Sequence, residues 1–289
     1  PTSLLIVGAG AIGCEFAHLF ASLGTRVVLV DVLEGLLPLL EDGDISTALR
    51  QAFKRRGIEM HLGVRVTSLE RRSGSVTATL EDGAVLEVER VLVSVGRKPR
   101  VEDAGLEAVG LEASPRGIQV DEGMRTAADG VWAIGDVTGE LALAHVASAQ
   151  GVVAAENALG GRRLMSYDVI PSCVFTEPEV ATVGLTETMA EREGREVTIG
   201  RFPWIASGRA LAGGDTTGFV KVLVDRGSGR IAGAQVVGPE ATNLIAELAL
   251  AIRAGVPAEV VAETVHAHPT YPEGVAEAVG AAVGRAIHA

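Results

Sequence analysis

Leu4-Leu5-Ile6-Val7-Gly8-Ala9-Gly10-Ala11-Ile12-Gly13 is the stretch that decides the fold. Four consecutive apolar residues closed by glycine read as a central parallel strand buried on both faces. The helical pattern that follows, about Ala11–Ser22, is ended by Gly24, and Arg26-Val27-Val28-Leu29-Val30 makes a second strand ending at Asp31. This is a strand–helix–strand unit of the expected ~30-residue length. Gly8 allows a tight turn, Gly10 lets a pyrophosphate approach the backbone, and Gly13 lets helix and strand pack closely. The helix N-terminus turns its N–H groups toward the phosphates. Asp31 lies eighteen residues after Gly13, where a carboxylate accepts hydrogen bonds from ribose hydroxyls and repels a 2′-phosphate. NAD is therefore favoured over NADP. Arg26 precedes the strand and sits at the wrong end to contact a 2′-phosphate. Glycines that serve only a tight turn are the plainer alternative.

Beyond this unit, a helix is expected at Ile45–Arg56 and a strand near Ile58–Leu62. From Val64 to Val95 the pattern changes to short strands with hairpin turns at Ser73-Gly74 and Asp82-Gly83. Val91–Val95 reads as another buried strand, Pro99–Thr126 as an irregular passage, and Gly130–Asp136 as a buried strand with a carboxylate at its tip. A helix follows at about Ala144–Leu159. From about Asp168 the grammar changes again. Strands at Ser172–Thr176, Phe219–Val224 and Ile231–Val237 precede helices near Ala241–Ala254, Ala258–Thr264 and Pro272–Arg285. The fold class is thus α/β, a Rossmann-like dinucleotide domain, followed by an α+β domain.

Composition narrows the function. The 289 residues are 47% hydrophobic, enough for two cored domains, and no apolar run is long enough to span a membrane. A net charge of −12 argues against nucleic acid and anionic membranes as partners. Cys14 and Cys173, far apart in sequence, do not make a disulfide framework, and a reducing, cytoplasmic compartment is expected. Both read as core residues, as do Trp132 and Trp204. Glu41-Asp42-Asp44 reads as a solvated helix start. Pro1-Thr2-Ser3 runs straight into a buried strand with no leader pattern, as expected of a truncated chain or an excised domain pair.

The second informative stretch is His266-Ala267-His268-Pro269-Thr270-Tyr271-Pro272-Glu273. Imidazole titrates near neutrality and suits proton transfer, and a carboxylate can hold one ring nitrogen and fix the tautomer. Alternation in an extended segment points both rings the same way, so the residues alone leave the base open between His266 and His268.

With these pieces placed, the chain resembles the pyridine-nucleotide–disulfide oxidoreductases over essentially its whole length. The resemblance rests on Gly8–Glu15, on Ser94-Val95-Gly96-Arg97-Lys98-Pro99, on Ala133-Ile134-Gly135-Asp136 and on Leu143-Ala144-His145. It rests also on Phe175-Thr176-Glu177-Pro178-Glu179, Gly208-Arg209-Ala210, Gly218-Phe219-Val220-Lys221, Gly238-Pro239-Glu240-Ala241 and His268-Pro269-Thr270 with Glu273. It implies an NAD domain over 1–98, the C-terminal part of an FAD domain over 99–167 and an interface domain over 168–289. By resemblance Gly8, Gly10, Gly13, Glu15, Asp31, Gly96 and Arg97 serve NAD or the flavin–nicotinamide junction. Asp136 binds the ribityl chain of FAD, and Ala144 and His145 form the turn facing the flavin. His268 becomes the base, Glu273 its carboxylate, and His266 a structural neighbour; no metal is expected. The implied reaction oxidises dihydrolipoamide on the carrier protein of a 2-oxo acid dehydrogenase or glycine cleavage complex, through a disulfide and FAD, to NAD+. The implied assembly is a homodimer.

The chain also departs from that pattern. Family members begin with a flavin-binding segment holding its own GxGxxG and a CxxxxC disulfide, and no CxxxxC occurs in this sequence. A disulfide-free flavoprotein transhydrogenase and a non-catalytic NAD-binding dimerisation fragment are the alternatives.

Overall fold

The computed structural model describes residues 1–112 and 114–288. Strand β1 (Ser3–Val7), helix α1 (Ala11–Ser22) and strand β2 (Arg26–Asp31) form the expected unit. Helix α2 (Gly43–Arg55) and strand β3 (Glu59–Leu62) follow, then a three-stranded antiparallel meander, β4 (Val66–Arg72), β5 (Ser75–Leu80) and β6 (Val85–Val88). Strand β7 (Arg90–Val93) returns to the first sheet, which is parallel and ordered β3-β2-β1-β7. The hairpin turns at Ser73-Gly74 and Asp82-Gly83 lie where expected, with both glycines at positive φ.

By contact density the chain divides into two compact units. One comprises Pro1–Val95 together with the chain from Pro171 onward; the other is Gly96–Ile170. The second unit contains helix α3 (Ala144–Ala158) and its own core, in which Met124, Val146, Val153 and Met165 meet Trp132 and Tyr167.

The remainder of the first unit is the expected α+β portion. It runs β8 (Ser172–Val174), β9 (Glu179–Gly184), α4 (Glu187–Arg192), β10 (Val197–Pro203), α5 (Gly208–Gly213), β11 (Phe219–Asp225) and β12 (Ile231–Gly238). Helices α6 (Ala241–Ala254), α7 (Ala258–Glu263) and α8 (Pro272–Ala282) complete it. The sheet is antiparallel in the order β10-β11-β12-β9-β8. Among the described residues no helix is long and apolar enough to cross a membrane.

Four local readings are corrected. Gly130–Asp136 is not a strand: Trp132 pairs with Arg125 through an isolated bridge, and the chain turns into a 3-10 helix at Gly135–Thr138. A run of apolar residues makes a strand only where a neighbour supplies a ladder. Val91–Val95 is not uniformly buried, because β7 is an edge strand and Val93 and Val95 are exposed. Strands β9 and β10 are not marked by the sequence pattern, since Gly200 interrupts β10 and β9 is a short run that ends at Gly184. The last helix stops at Ala282, three residues early, because Gly284 takes positive φ and the chain folds back.

The acidic cluster departs furthest from expectation. Asp42 does cap α2, accepting from the Asp44 and Ile45 N–H groups at 2.9 and 3.1 Å. It is not solvated: its side chain is 1% exposed, and Lys221 Nζ, 3% exposed, lies 2.7 Å from its Oδ2. Asp44 Oδ2 at 3.0 Å and Glu187 Oε1 at 2.8 Å complete the cation's surroundings. A buried ammonium is tolerable only when paired, and removing one partner strands the charges of the others. The same core knits the two sheets, with Ile6, Leu29 and Phe53 in one cluster with Val174, Phe219 and Val237.

Burial works against charge on Lys221, but Asp42, Glu187 and Asp44 together raise its pKa above the ordinary 10.5. Burial also opposes the Asp44 charge, yet Lys221 and then Arg201 hold its carboxyl below the ordinary 3.8. The lysine's contribution is therefore full below 10.5 and fades as pH rises through its higher folded value. The aspartate's is full above 3.8 and fades as pH falls through its lower one. Lys221→Met is expected to cost about 3–5 kcal/mol at neutral pH, read from the urea midpoint. A loss below about 1 kcal/mol would show that the carboxylates escape to water instead.

Candidate functional site

The glycine turn is built by close contact. Gly8 has φ +111°, and a methyl group there would overlap the Ser94 carbonyl; one on Gly13 would overlap the carbonyl oxygen of Gly8. Ser94 Oγ donates toward the Val7 and Gly8 carbonyls at 3.2 and 3.1 Å, tying β7 to the turn. Gly10 differs from both. Its φ is −72°, and a Cβ there would meet nothing within 4 Å. Packing does not require glycine at this position, whereas a ligand approaching the backbone does. Gly10 caps α1 without any side-chain hydrogen bond, so the first turn presents bare N–H groups. These residues fit a dinucleotide pyrophosphate.

Asp31 ends β2 against this turn. The Ala9 N–H donates to its Oδ2 at 2.6 Å and the Leu33 N–H to its Oδ1 at 2.8 Å. The carboxylate is thus fixed by backbone, with acceptor capacity left on each oxygen for hydroxyl donors. Glu15, one turn into α1, accepts from the Phe175 N–H at 2.9 Å, a contact between chain segments 160 residues apart. Cys14 is fully buried, and burial first, then the nearby Asp31 and Glu15 charges, push its thiol pKa up to about 12. It is a core residue, as expected, and has no thiolate chemistry near neutrality. Cys173 is only half-buried, on the edge strand β8, and burial again raises its pKa.

In the second unit, Arg97 Nη2 lies 3.4 Å from Asp136 Oδ2, with both side chains well exposed. Gly96 has φ +112° and open space around it. The Gly135 N–H donates to Gln150 Oε1 at 2.6 Å, and Gln150 Nε2 donates to Tyr167 Oη at 2.8 Å. Gln150 is buried, and it fixes the turn presenting Asp136. Sequence reasoning missed it, because a glutamine on a helix carries no signal until its partner is known. Ala144 and His145 open α3, whose N-cap, Leu143, makes no side-chain hydrogen bond. The exposed Asp136 and this uncapped helix start fit the ribityl and ring portions of a flavin.

The His266–Glu273 stretch folds as a turn onto α8. His268 Nδ1 lies 2.8 Å from Glu273 Oε1, and the Thr270 N–H donates to Glu273 Oε2 at 2.7 Å. A carboxylate acceptor at Nδ1 selects the Nδ1–H tautomer and leaves Nε2 as the basic nitrogen. The ring is 79% exposed, so that nitrogen can be reached. Burial opposes the Glu273 charge, but the Thr270 N–H and His268 hold its carboxyl below the usual range. His266 is the opposite case. It is 10% exposed, with Nδ1 on the Thr264 carbonyl at 2.8 Å and Nε2 on Glu247 at 2.9 Å. Both nitrogens are spent on structure.

The family model described as "Pyridine nucleotide-disulphide oxidoreductase" matches residues 1–151, and that of its dimerisation domain matches 170–279. The chain belongs to this family. It is 46% identical over its full length to the dihydrolipoyl dehydrogenase of Halobacterium salinarum and 42% identical to that of Chlamydia muridarum. In each case it spans 62% of the relative's length. Among solved structures, LpdA from Mycobacterium tuberculosis matches with a TM-score of 0.90 at 32% identity, over 96% of this chain and 61% of that one. The HOCl-induced flavoprotein disulfide reductase RclA from Escherichia coli matches with a TM-score of 0.91 at 29% identity, over 97% and 65%.

The two inner glycines separate by experiment. Gly13→Ala is expected to cost more than about 3 kcal/mol, because backbone must move. Gly10→Ala should cost about 1 kcal/mol or less, as for a weakened cap, while reducing NADH affinity. Chemical denaturation and NADH fluorescence titration of both variants check this; equal stability losses would contradict the assignment.

Proposed function

We propose that this chain is the NAD-binding and acid–base portion of a dihydrolipoyl dehydrogenase, with His268 as the base. The observation that carries the reading is the exposed His268 ring held at Nδ1 by Glu273, in the same compact unit as the uncapped glycine turn. Relatives at 42–46% identity over the whole chain are named dihydrolipoyl dehydrogenases, which supports the substrate class.

In this reading Gly8, Gly10 and Gly13 seat the NAD pyrophosphate on α1, and Asp31 takes the adenosine ribose. Glu15 serves the nicotinamide end, Gly96 and Arg97 belong to the turn that touches the cofactor, and Asp136, Ala144 and His145 hold FAD. Residues 1–98, 99–167 and 168–289 are the NAD portion, the end of the FAD portion and the interface domain. FAD, when bound, carries the electron pair from the dithiol to the nicotinamide. His268 Nε2 takes a thiol proton from dihydrolipoamide, so that the thiolate forms, and Glu273 stabilises the resulting imidazolium. The attacked disulfide is not supplied by this chain, whose two cysteines are a buried core thiol and an edge-strand thiol. The dimerisation-domain match supports a homodimer, and the substrate is a lipoyl group on a carrier protein.

His268→Gln in the full-length enzyme is expected to lower dihydrolipoamide-dependent NAD+ reduction by about 10²–10⁴-fold while leaving NADH binding intact. Turnover at the parental rate would remove the role assigned to His268. Replacing Asp31 by Asn should narrow the preference for NAD+ over NADP+, measured as the ratio of kcat/KM values; an unchanged ratio would place the selectivity elsewhere.

A further inference from the structure

Helix α8 carries the imidazole–carboxylate arrangement twice. Glu273 stands in its first turn and Glu277 one turn later, a spacing that puts both on one face. Glu277 repeats the bonding of Glu273. Its Oε1 lies 2.8 Å from His288 Nδ1, and its Oε2 accepts the Ile287 and His288 N–H groups at 3.0 and 3.1 Å. The segment after α8 is thereby folded back on the helix, and Arg285 is anchored on Glu263 of α7. Both pairs line one cavity of about 320 Å³, together with Arg285, Ser207 and the edge of His266.

Two carboxylates at this spacing on a helix face repel each other. Glu277 is only 12% exposed, so water screens it poorly. The titratable and charged groups that line the cavity with Glu273 are His268 from its own loop, Glu277 from its own helix, His266, and His288 and Arg285 from the returning segment. In turn, His266 is held by Glu247 of α6, and Arg285 is held by Glu263 and Glu259 of α7. The carboxylate that orients His268 therefore has an anionic neighbour whose nearest compensating partner is His288.

We propose that His288, clasped by Glu277, is a positioning residue for the His268–Glu273 pair: it offsets the Glu277 charge so that Glu273 keeps its place on His268 Nδ1. Burial works against the Glu273 charge, while the Thr270 N–H, His268 and then His288 hold its carboxyl below the usual range. The role rests on reading His268 and Glu273 as the acid–base pair, but its geometry is independent of turnover.

The test is a ¹³C NMR titration of the Glu273 side-chain carboxyl in this chain. His288→Gln keeps a donor for Glu277 and removes the charge, and His288 is 69% exposed, so the fold should tolerate it. The Glu273 midpoint is expected to rise by about half a pH unit in that variant. His288→Lys, which keeps a cation, should bring it most of the way back. Glu277→Gln/His288→Gln, which removes both charges, should also return it toward the parental value. A midpoint within about 0.1 unit of the parent in His288→Gln, or no recovery in either companion variant, would overturn the role. Unimpaired turnover in His268→Gln would instead overturn the catalytic reading, whatever the titration gives.

Discussion

The Lys221 ammonium is the interaction on which the arrangement of the first unit turns. It comes from β11, an interior strand of the antiparallel sheet, and its nearest carboxylates belong to the start of α2 and the start of α4. With the cation 3% exposed and Asp42 1% exposed, neither can turn to water if the other is lost. Asp42 is meanwhile the cap of α2, whose Ile45, Leu49 and Phe53 enter the core behind the parallel sheet. One lysine thus joins a helix start, a sheet interior and a shared apolar core. Arg201 adds to it, pairing with Asp44 at 3.0 Å while lying over the Phe219 ring. The glycine turn and the His268 loop lie far apart in sequence but belong to one packed body for this reason.

Carboxylates and amides elsewhere follow the same logic of a polar side chain fixed by backbone. Asp31 is held by two N–H groups, Glu273 by Thr270, Glu277 by Ile287 and His288, and Gln150 by Gly135. A side chain fixed at one atom by the main chain loses little further freedom when its remaining capacity engages a ligand or a ring. Each of these residues sits at the point where a group assigned a role is presented. Pre-organisation of this kind is worth more to a proton-transfer site than an additional charge would be, because geometry governs transfer first.

Legibility in the sequence followed the reach of each interaction. The first strand–helix–strand unit could be read because its signals are local: an apolar run, three glycines and a terminal carboxylate within about one motif length. The hairpins at Gly74 and Gly83 were legible for the same reason, since positive φ favours glycine. Gly130–Asp136 misled because strand identity depends on a neighbour, which no local pattern supplies. Asp42 misled because its counter-charge lies 179 positions away at Lys221. Gln150 and the Glu277–His288 pair were invisible because their meaning lies wholly in the partner. Family resemblance supplied what periodicity could not, namely the choice of His268 over His266.

Burial gives that choice a physical basis. The two imidazoles are separated by one alanine, and each touches a carboxylate, so type and spacing make them equivalent. His266 is closed in by Glu247 and the Thr264 carbonyl, both of them acceptors, and has no nitrogen left to exchange a proton with an arriving molecule. His268 gives one nitrogen to Glu273 and keeps the other at an exposed edge. A base must be both oriented and reachable, and only a ring with one nitrogen fixed and one open satisfies both conditions. In the stretch Thr264–His268, alternation would place the rings on the same side, but Glu273 at the start of α8 sets the second ring's surroundings. The inner histidine fastens this segment to α6, and that fastening holds the outer one at the surface.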